Sequence, residues 1–318
     1  MPTGDSGDIA RYRGLIVAAL PRLATTPLTL LHRGDDIAAL GADDTILKIP
    51  RTADAAVKLR REAVLLDYLR PRVTMALPQM QIVEGTPPVS QHRRIEGGPL
   101  PPADYEALDA GRRNAIALRL AGFFAELHNL PLPRLTAIGA VSATPWLGPD
   151  TILEAVLPLL PRKWHPFVRR TLKAYRNLTI AGDELVFGQF GTDGSNMAID
   201  PATGLLSGLF DFSEAGFGAR HRDLSYPMRI SVDLGLRIIA RYEELGGPAV
   251  DRALVLTYAT ADRLARLATG AIALDAEEMA AFVAAVEAIV PPPPPRARKP
   301  AAPKPVRRPA AKPKRQSA

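Results

Sequence analysis

The sequence has no cysteine among its 318 residues. That single absence removes disulfides, thiolate metal sites and cysteine nucleophiles. Histidine is sparse as well. His32, His92, His128, His165 and His221 stand far apart, with no pair at metal-ligand spacing, so a structural metal is not expected. Long apolar runs are missing: no stretch approaches the roughly 20 residues that a membrane-spanning helix requires. The first residues, Met-Pro-Thr-Gly-Asp-Ser-Gly-Asp, are polar and acidic, the opposite of a secretory leader. A cytoplasmic, non-transmembrane protein is the expectation. No repeat is present, which excludes collagen-like and coiled-coil classes.

What is present suffices for a core. At 47% hydrophobic and 23% charged, the chain can build one large or two smaller domains. The net charge of +7 has a specific location. Residues 291–318 hold nine basic side chains, ten prolines and no acid, which leaves residues 1–290 at −2. With nothing to bury, this tail is expected to be disordered and polyproline-like. Its basic residues between 296 and 315 suit either nonspecific contact with nucleic acid or an anionic surface, or simple solubilisation.

Along the chain, the pattern predicts a helix over 8–20, then strands over 28–31, 37–40 and 45–49 separated by Gly/Asp turns. A helix follows over 54–70, and extended chain over 73–83. Residues 96–102, Glu-Gly-Gly-Pro-Leu-Pro-Pro, read as a hinge. Beyond it the chain is mainly helical, over 112–128, 150–159, 166–178, 228–245, 249–268 and 275–289. A β-hairpin interrupts it, with extended runs at 184–187, 197–200 and 205–212. The expected domains are an N-lobe over 1–95, a hinge over 96–102, a C-lobe over 103–290 and the tail over 291–318.

Three features carry chemistry. Lys48 lies in Thr45-Ile46-Leu47-Lys48-Ile49-Pro50 and shares a strand face with Ile46. Alone, it fits a solvated edge-strand lysine. Glu62 favours another environment, because Leu59, Glu62, Leu66 and Leu69 fall on one helix face. A carboxylate in a leucine stripe is costly unless paired, and a lysine on the preceding strand is the natural partner. Such a pair can position a phosphate-binding lysine. The third feature is the glycine-rich run from Phe187 to Asn196, followed fifteen residues later by Asp211 between Phe210 and Phe212. An amide oxygen and a carboxylate side by side suit Mg²⁺ carrying nucleotide phosphates. A polar turn residue and a salt-bridged Asp fit the same pattern.

In this order, strand Lys48, helix Glu62, loop Asn196 and Asp211 resemble the aminoglycoside phosphotransferase family. Arg94-Ile95-Glu96-Gly97-Gly98-Pro99-Leu100, Leu120-Ala121-Gly122-Phe123-Phe124-Ala125-Glu126-Leu127-His128 and His221-Arg222-Asp223-Leu224-Ser225-Tyr226 add to the likeness, which spans about residues 25–290. The resemblance implies a two-lobed, protein-kinase-like α+β fold, with a small antiparallel N-lobe and a larger helical C-lobe. It also implies phosphoryl transfer from ATP (or GTP), with Mg²⁺, to a hydroxyl of a small molecule. Lys48 would hold the phosphates, Glu62 would orient it, and Asn196 and Asp211 would bind Mg²⁺.

The family's loop reads His-Gly-Asp-x-x-x-x-Asn, with Asp as base. Aligned on Phe187-Gly188-Gln189, this chain puts Gln189 at the Asp position and carries two extra residues before Asn196. Gln189 can bond a hydroxyl but cannot take its proton. Asp193 either substitutes as base or is an exposed turn residue. Gln189 and Asp193 are thus expected to face the acceptor. A pseudokinase or nucleotide-binding protein tethered by the basic tail fits the same departure.

Overall fold

The protein is described by a computed structural model over residues 5–34, 36–180 and 184–291. The tail beyond residue 291 lies outside the described residues, and with it the basic positions 296–315. The N-terminal lobe starts with helix α1 (Asp5–Ala19). Strands β1 (Thr29–Arg33), β2 (Ile37–Ala42) and β3 (Thr45–Pro50) follow, then helix α2 (Ala53–Leu69) and strands β4 (Gln81–Val83) and β5 (Val89–Arg93). They form one antiparallel sheet in the order β1-β2-β3-β5-β4.

Strand alternation decides where the lysine points. Leu47 and Ile49 are buried in a cluster with Tyr12 and Ile16 of α1 and Leu40 of β2. Lys48, between them, must face the other side of the sheet. It pairs with Ala39 on β2 and Ser90 on β5, so it sits on an interior strand and not at an edge. Extended chain over 73–83 narrows to β4. Strand β5, the partner that covers β3, escaped the sequence pattern because Ser90, Gln91, His92 and Arg93 carry no apolar alternation.

Helix α2 opens on Thr52, whose side chain accepts a hydrogen bond from Ala55 N at 3.1 Å. Its leucine stripe bridges the lobes: Leu65, Leu66 and Leu69 belong to the C-lobe core. Each such fully buried leucine contributes about 1.5–3 kcal/mol.

The hinge is tied down by backbone pairing. Gly98 N donates to Ile199 O at 2.9 Å and Gly98 O accepts from Ile199 N at 2.7 Å, while Leu100 N donates to Gly194 O at 2.9 Å. Gly97 has φ +130°, and a Cβ there would lie 2.7 Å from Ile199 O. A side chain cannot fit there, so Gly97 lets the connector lie flat against the loop that carries Asn196.

The C-lobe contains α3 (Pro102–Ala107), α4 (Ala110–His128), α5 (Leu132–Ala137), α6 (Pro149–Val156) and α7 (His165–Arg176). Next come β6 (Leu185–Gly188), β7 (Met197–Ile199), β8 (Leu206–Leu209), β9 (Gly216–Ala219) and α8 (Arg220–Asp223), then α9 (Val232–Glu244), α10 (Arg252–Ala268) and α11 (Ala276–Ile289). Ile116, Leu120, Phe123 and Leu127 of α4 are fully buried at the centre, and α4 packs along α9. Strands β7 and β8 form the expected hairpin, but the strand predicted to reach 212 stops at Leu209. Phe210 N turns to Asn196 O at 3.1 Å and Asp211 adopts φ +60°. The run Gly216-Phe217-Gly218-Ala219 forms β9, which closes on β6. Its glycines concealed it from a propensity reading. Among the described residues, no helix is long and apolar enough to cross a membrane.

Candidate active site

The cleft centres on one ammonium and two carboxylates. Lys48 Nζ lies 2.8 and 3.0 Å from the two carboxylate oxygens of Glu62, and 3.1 Å from Asp211 Oδ1. Glu62 is only 2% exposed, whereas the Asp211 side chain is 42% exposed and open to the cleft. Burial opposes the charge on Lys48, but Glu62 and Asp211 outweigh it and hold the ammonium well above the usual lysine range. Burial likewise opposes the charge on Asp211, and Lys48 outweighs it, holding the carboxyl below its usual range. Phe212 N donates to Glu62 Oε1 at 2.9 Å, so the helix acid also anchors the backbone just past Asp211.

Asn196 ends a short 3-10 turn (Gly194–Asn196) directly before β7. Its Nδ2 donates to Gly191 O at 2.8 Å, which fixes the amide and leaves Oδ1 free of that bond. Its backbone oxygen accepts from Phe210 N, so the Asn196 and Asp211 segments are directly joined. Among the described residues, no cluster of three or more His, Asp or Glu could hold a metal alone. One amide oxygen plus one half-exposed carboxylate nevertheless fits Mg²⁺, which takes one or two protein ligands and fills its octahedron with phosphate and water.

Gln189 does not face the cleft. It is wholly buried, and its Nε2 donates to the backbone oxygens of Phe210 at 3.0 Å and Asp211 at 3.2 Å. Its Oε1 accepts from Thr192 Oγ1 at 2.5 Å. The expectation that Gln189 meets an acceptor hydroxyl is therefore corrected: its amide satisfies backbone carbonyls behind Asp211. A buried amide must find such partners, and these were nearer than the cleft.

The geometry suggests a different register. Gln189 stands seven residues before Asn196, the spacing between His and Asn in His-Gly-Asp-x-x-x-x-Asn. With no insertion, Gln189 falls on the His, Phe190 on the Gly and Gly191 on the Asp.

Asp193 is also engaged. Its Oδ1 accepts from Ser195 N at 3.0 Å and Ser195 Oγ at 2.5 Å, and its Oδ2 from Arg229 Nη1 at 2.8 Å. Arg229 in turn forms a bidentate pair with Asp262 at 2.8 and 2.6 Å. Asp193 thus caps the turn and joins an ion-pair chain, and both of its oxygens are engaged by these structural donors. It is not an exposed turn residue either, with a side chain only 16% exposed.

Asp223 and His128 were visible in the sequence as parts of motifs, without roles. The fully buried Asp223 accepts from Gln189 N at 3.2 Å and Phe190 N at 2.7 Å. His128 Nε2 lies 3.1 Å from Asp223 Oδ2, and His128 Nδ1 lies 3.2 Å from Tyr242 Oη. This chain fixes the loop at Phe190, whose φ of +52° requires an external hold. The Arg229–Asp262 pair was missed outright. The signal existed: Asp262 shares a helix face with Val255 and Ala259, the same stripe logic that exposes Glu62.

The model of the phosphotransferase enzyme family (APH) matches residues 36–256, well over half of the chain. The chain belongs to that family. Solved structures of the same fold include the GDP complex of wild-type aminoglycoside 2'-phosphotransferase-IIIa, at 20% identity over 88% of this chain and 97% of that one, with TM-score 0.66. The streptomycin–ATP complex of APH(2")-IIa aligns at 14% identity over 85% of this chain and 94% of that one, with TM-score 0.59. Macrolide 2'-phosphotransferase MphH from Brachybacterium faecium aligns at 18% identity over 88% and 99%, with TM-score 0.56. No curated protein matches the sequence. As a member of this phosphotransferase family, the chain has the two-lobed kinase-like α+β fold.

Proposed function

We propose that this phosphotransferase moves the γ-phosphoryl group of ATP or GTP to a hydroxyl of a small molecule. The observation that carries this reading is the triangle of Lys48, Glu62 and Asp211, with the Asn196 amide on the adjoining segment. Lys48, held by Glu62, would bind the donor's phosphates. Asn196 and Asp211 would hold Mg²⁺, which when bound neutralises charge on the β and γ oxygens. Similar folds that carry GDP, ADP and ATP support a nucleotide in this cleft.

The transfer forms a bond between the acceptor oxygen and the γ-phosphorus as the bond to the β–γ bridging oxygen breaks. A nucleoside diphosphate leaves. The loop offers no free carboxylate, so the hydroxyl proton passes to solvent water. Because the transition state is loose, positioning and charge stabilisation remain available without a base. General-base help is ordinarily worth roughly 10²–10⁴-fold, so slow turnover is expected. The same observation, Gly191 in the register of the acid, favours a second reading, a nucleotide-binding pseudokinase.

The test measures melting temperature with GTP·Mg²⁺ or ATP·Mg²⁺, and phosphoryl transfer or nucleotide hydrolysis above background. A nucleotide-dependent rise that Lys48→Ala abolishes, with measurable turnover, supports the enzyme. A rise without turnover leaves the pseudokinase, and no rise with either nucleotide rejects both.

A further inference from the structure

The C-lobe side of the loop carries an aromatic wall that phosphoryl transfer does not use. Trp146, between α5 and α6, packs against Tyr175 of α7, Tyr226 and Tyr258 of α10, with ring centroids 5.8–6.3 Å apart. Phe190, next to Gly191 in the loop, lies 6.4 Å from Tyr226. The guanidinium of Arg222 sits 4.4 Å from the Trp146 ring centroid and 5.2 Å from that of Phe190. It donates to Thr144 O at 2.6 Å, and Trp146 Nε1 donates to Tyr226 Oη at 3.2 Å. Trp146, Tyr175 and Arg222 are partly open to solvent.

The charges on this wall are unbalanced. Arg222 makes no ion pair among the described residues, and its Nε is buried without a hydrogen-bond partner. Arg266, one turn past Asp262 on α10, is partly buried and likewise forms no ion pair among them. The two acids beside the loop, Asp193 and Asp262, are both committed to Arg229. Among the described residues beside the loop, a polycation entering here would meet arginines and two acids already committed to Arg229, an arrangement that discriminates against it by charge. An acid would meet a guanidinium already ordered over a tryptophan face, and a flat apolar body would find the partly open rings of Trp146 and Tyr175, backed by the buried Phe190, Tyr226 and Tyr258.

We propose that this wall is the acceptor subsite, and that it selects a hydroxyl-bearing molecule with an aromatic or broad apolar face and an acidic group, held by Trp146 and Arg222, with the buried Tyr226 fixing both from behind. The proposal rests on the phosphotransferase reading, which sets the acceptor beside the loop. It assigns the acceptor to a class other than the polycationic amino sugars.

The chain has two tryptophans, so a Trp164→Phe background makes Trp146 the sole reporter. The full-length protein, with GDP and Mg²⁺ present, is titrated with 4-(hydroxymethyl)benzoate, benzyl alcohol and kanamycin, following Trp146 fluorescence and, on the unaltered chain, calorimetry. The aromatic acid is expected to bind at least about tenfold more tightly than the alcohol, from its charge-assisted contact, and kanamycin not to bind. Arg222→Gln should erase the preference for the acid over the alcohol while the nucleotide-induced rise in melting temperature persists. If that variant does not fold, Trp146→Leu, at a half-exposed position, should weaken the acid and the alcohol alike in calorimetry. Tighter binding of kanamycin, equal binding of acid and alcohol, no binding of the acid, a preference unaltered in Arg222→Gln, or affinities unaltered in Trp146→Leu overturns the proposal. The two readings fail separately: nucleotide binding without acid binding rejects this subsite alone, and acid binding without any nucleotide effect rejects the phosphotransferase reading alone.

Discussion

The two sides of the cleft are built on opposite principles. On the Lys48 side, charges are buried against one another: a 2%-exposed glutamate, an interior-strand lysine and an aspartate that opens toward the cleft. On the loop side, from Gln189 to Asn196, the polar side chains bond mainly to backbone or to structural partners, and the register of the acid holds Gly191. The first side is the ion-paired set that we propose binds the donor's phosphates. The second is a scaffold of the same shape without a free base. The difference separates binding from proton transfer, and mutations can move one without the other.

The largest effect should come from restoring the missing acid. A Cβ on Gly191 would lie 3.5 Å from Asn196 Nδ2 and 3.9 Å from Gln189 O, ordinary contact distances, so a side chain fits. Gly191→Asp is expected to raise kcat by roughly 10²–10⁴-fold with little change in nucleotide affinity. Gln189→Asp should give no gain, because it buries a carboxylate against two carbonyl oxygens. If Gln189→Asp accelerates turnover and Gly191→Asp does not, the loop register argued above is wrong.

Removing the lysine attacks the other side. Lys48→Ala is expected to lower transfer by roughly 10²–10³-fold, the usual cost of losing one preorganised stabiliser of developing charge. It also strands Glu62 in the core, which costs about 3 kcal/mol or more. The double variant Lys48→Met, Glu62→Leu should recover much of that stability and none of the activity, as read by denaturant titration beside a turnover assay.

These two sides were unequally legible in the sequence. Glu62 stood out because a carboxylate among Leu59, Leu66 and Leu69 must find a cation, and strand alternation turned Lys48 toward it. Burial of charge leaves a periodic trace. A loop leaves none: the direction of the Gln189 amide depends on the Phe210 and Asp211 carbonyls, which only the folded β7–β8 hairpin brings beside it. The misplaced register followed, since Phe187-Gly188-Gln189 mimics His-Gly-Asp more closely than Gln189-Phe190-Gly191 does. Most C-lobe helices were readable from apolar spacing, and the two-lobed fold from the resemblance that Lys48, Glu62, Asn196 and Asp211 carry in their order. Strands β5 and β9 were not, one being polar and the other rich in glycine.

A smaller effect should appear as pH falls. His92 faces the same side of the sheet as Lys48, nearly buried, with no partner for Nδ1. Burial first, and the Lys48 charge second, push its pKa down to about 4 from an ordinary 6.5. The folded state therefore binds fewer protons than the unfolded chain between those values. The contribution is fully present above pH 6.5 and is lost progressively as pH falls toward 4. Between pH 7.5 and 5 the loss should be about 2 kcal/mol. His92→Leu should flatten that part of the stability profile, and an unchanged slope would reject the assignment.

The finest comparison concerns the amide itself. If Gln189 serves only to tie the Asp211 segment to the loop, any donor of similar reach should do. Gln189→His, whose ring N–H can donate to the same carbonyl oxygens, is expected to change stability by less than about 1 kcal/mol. Gln189→Leu leaves two carbonyls and the Thr192 hydroxyl without that partner, and should cost about 2 kcal/mol. Thr192→Val removes only the bond to Oε1 and should cost about 1 kcal/mol. The order is the test, read as denaturation midpoints and turnover on the same preparations. A structural amide predicts that stability falls from the His variant to the Thr192 variant to the Leu variant, while turnover of folded protein changes little in the first two. If Gln189→His keeps full stability but loses turnover, the amide touches the reacting hydroxyl after all, and the contrast between the two sides of the cleft collapses.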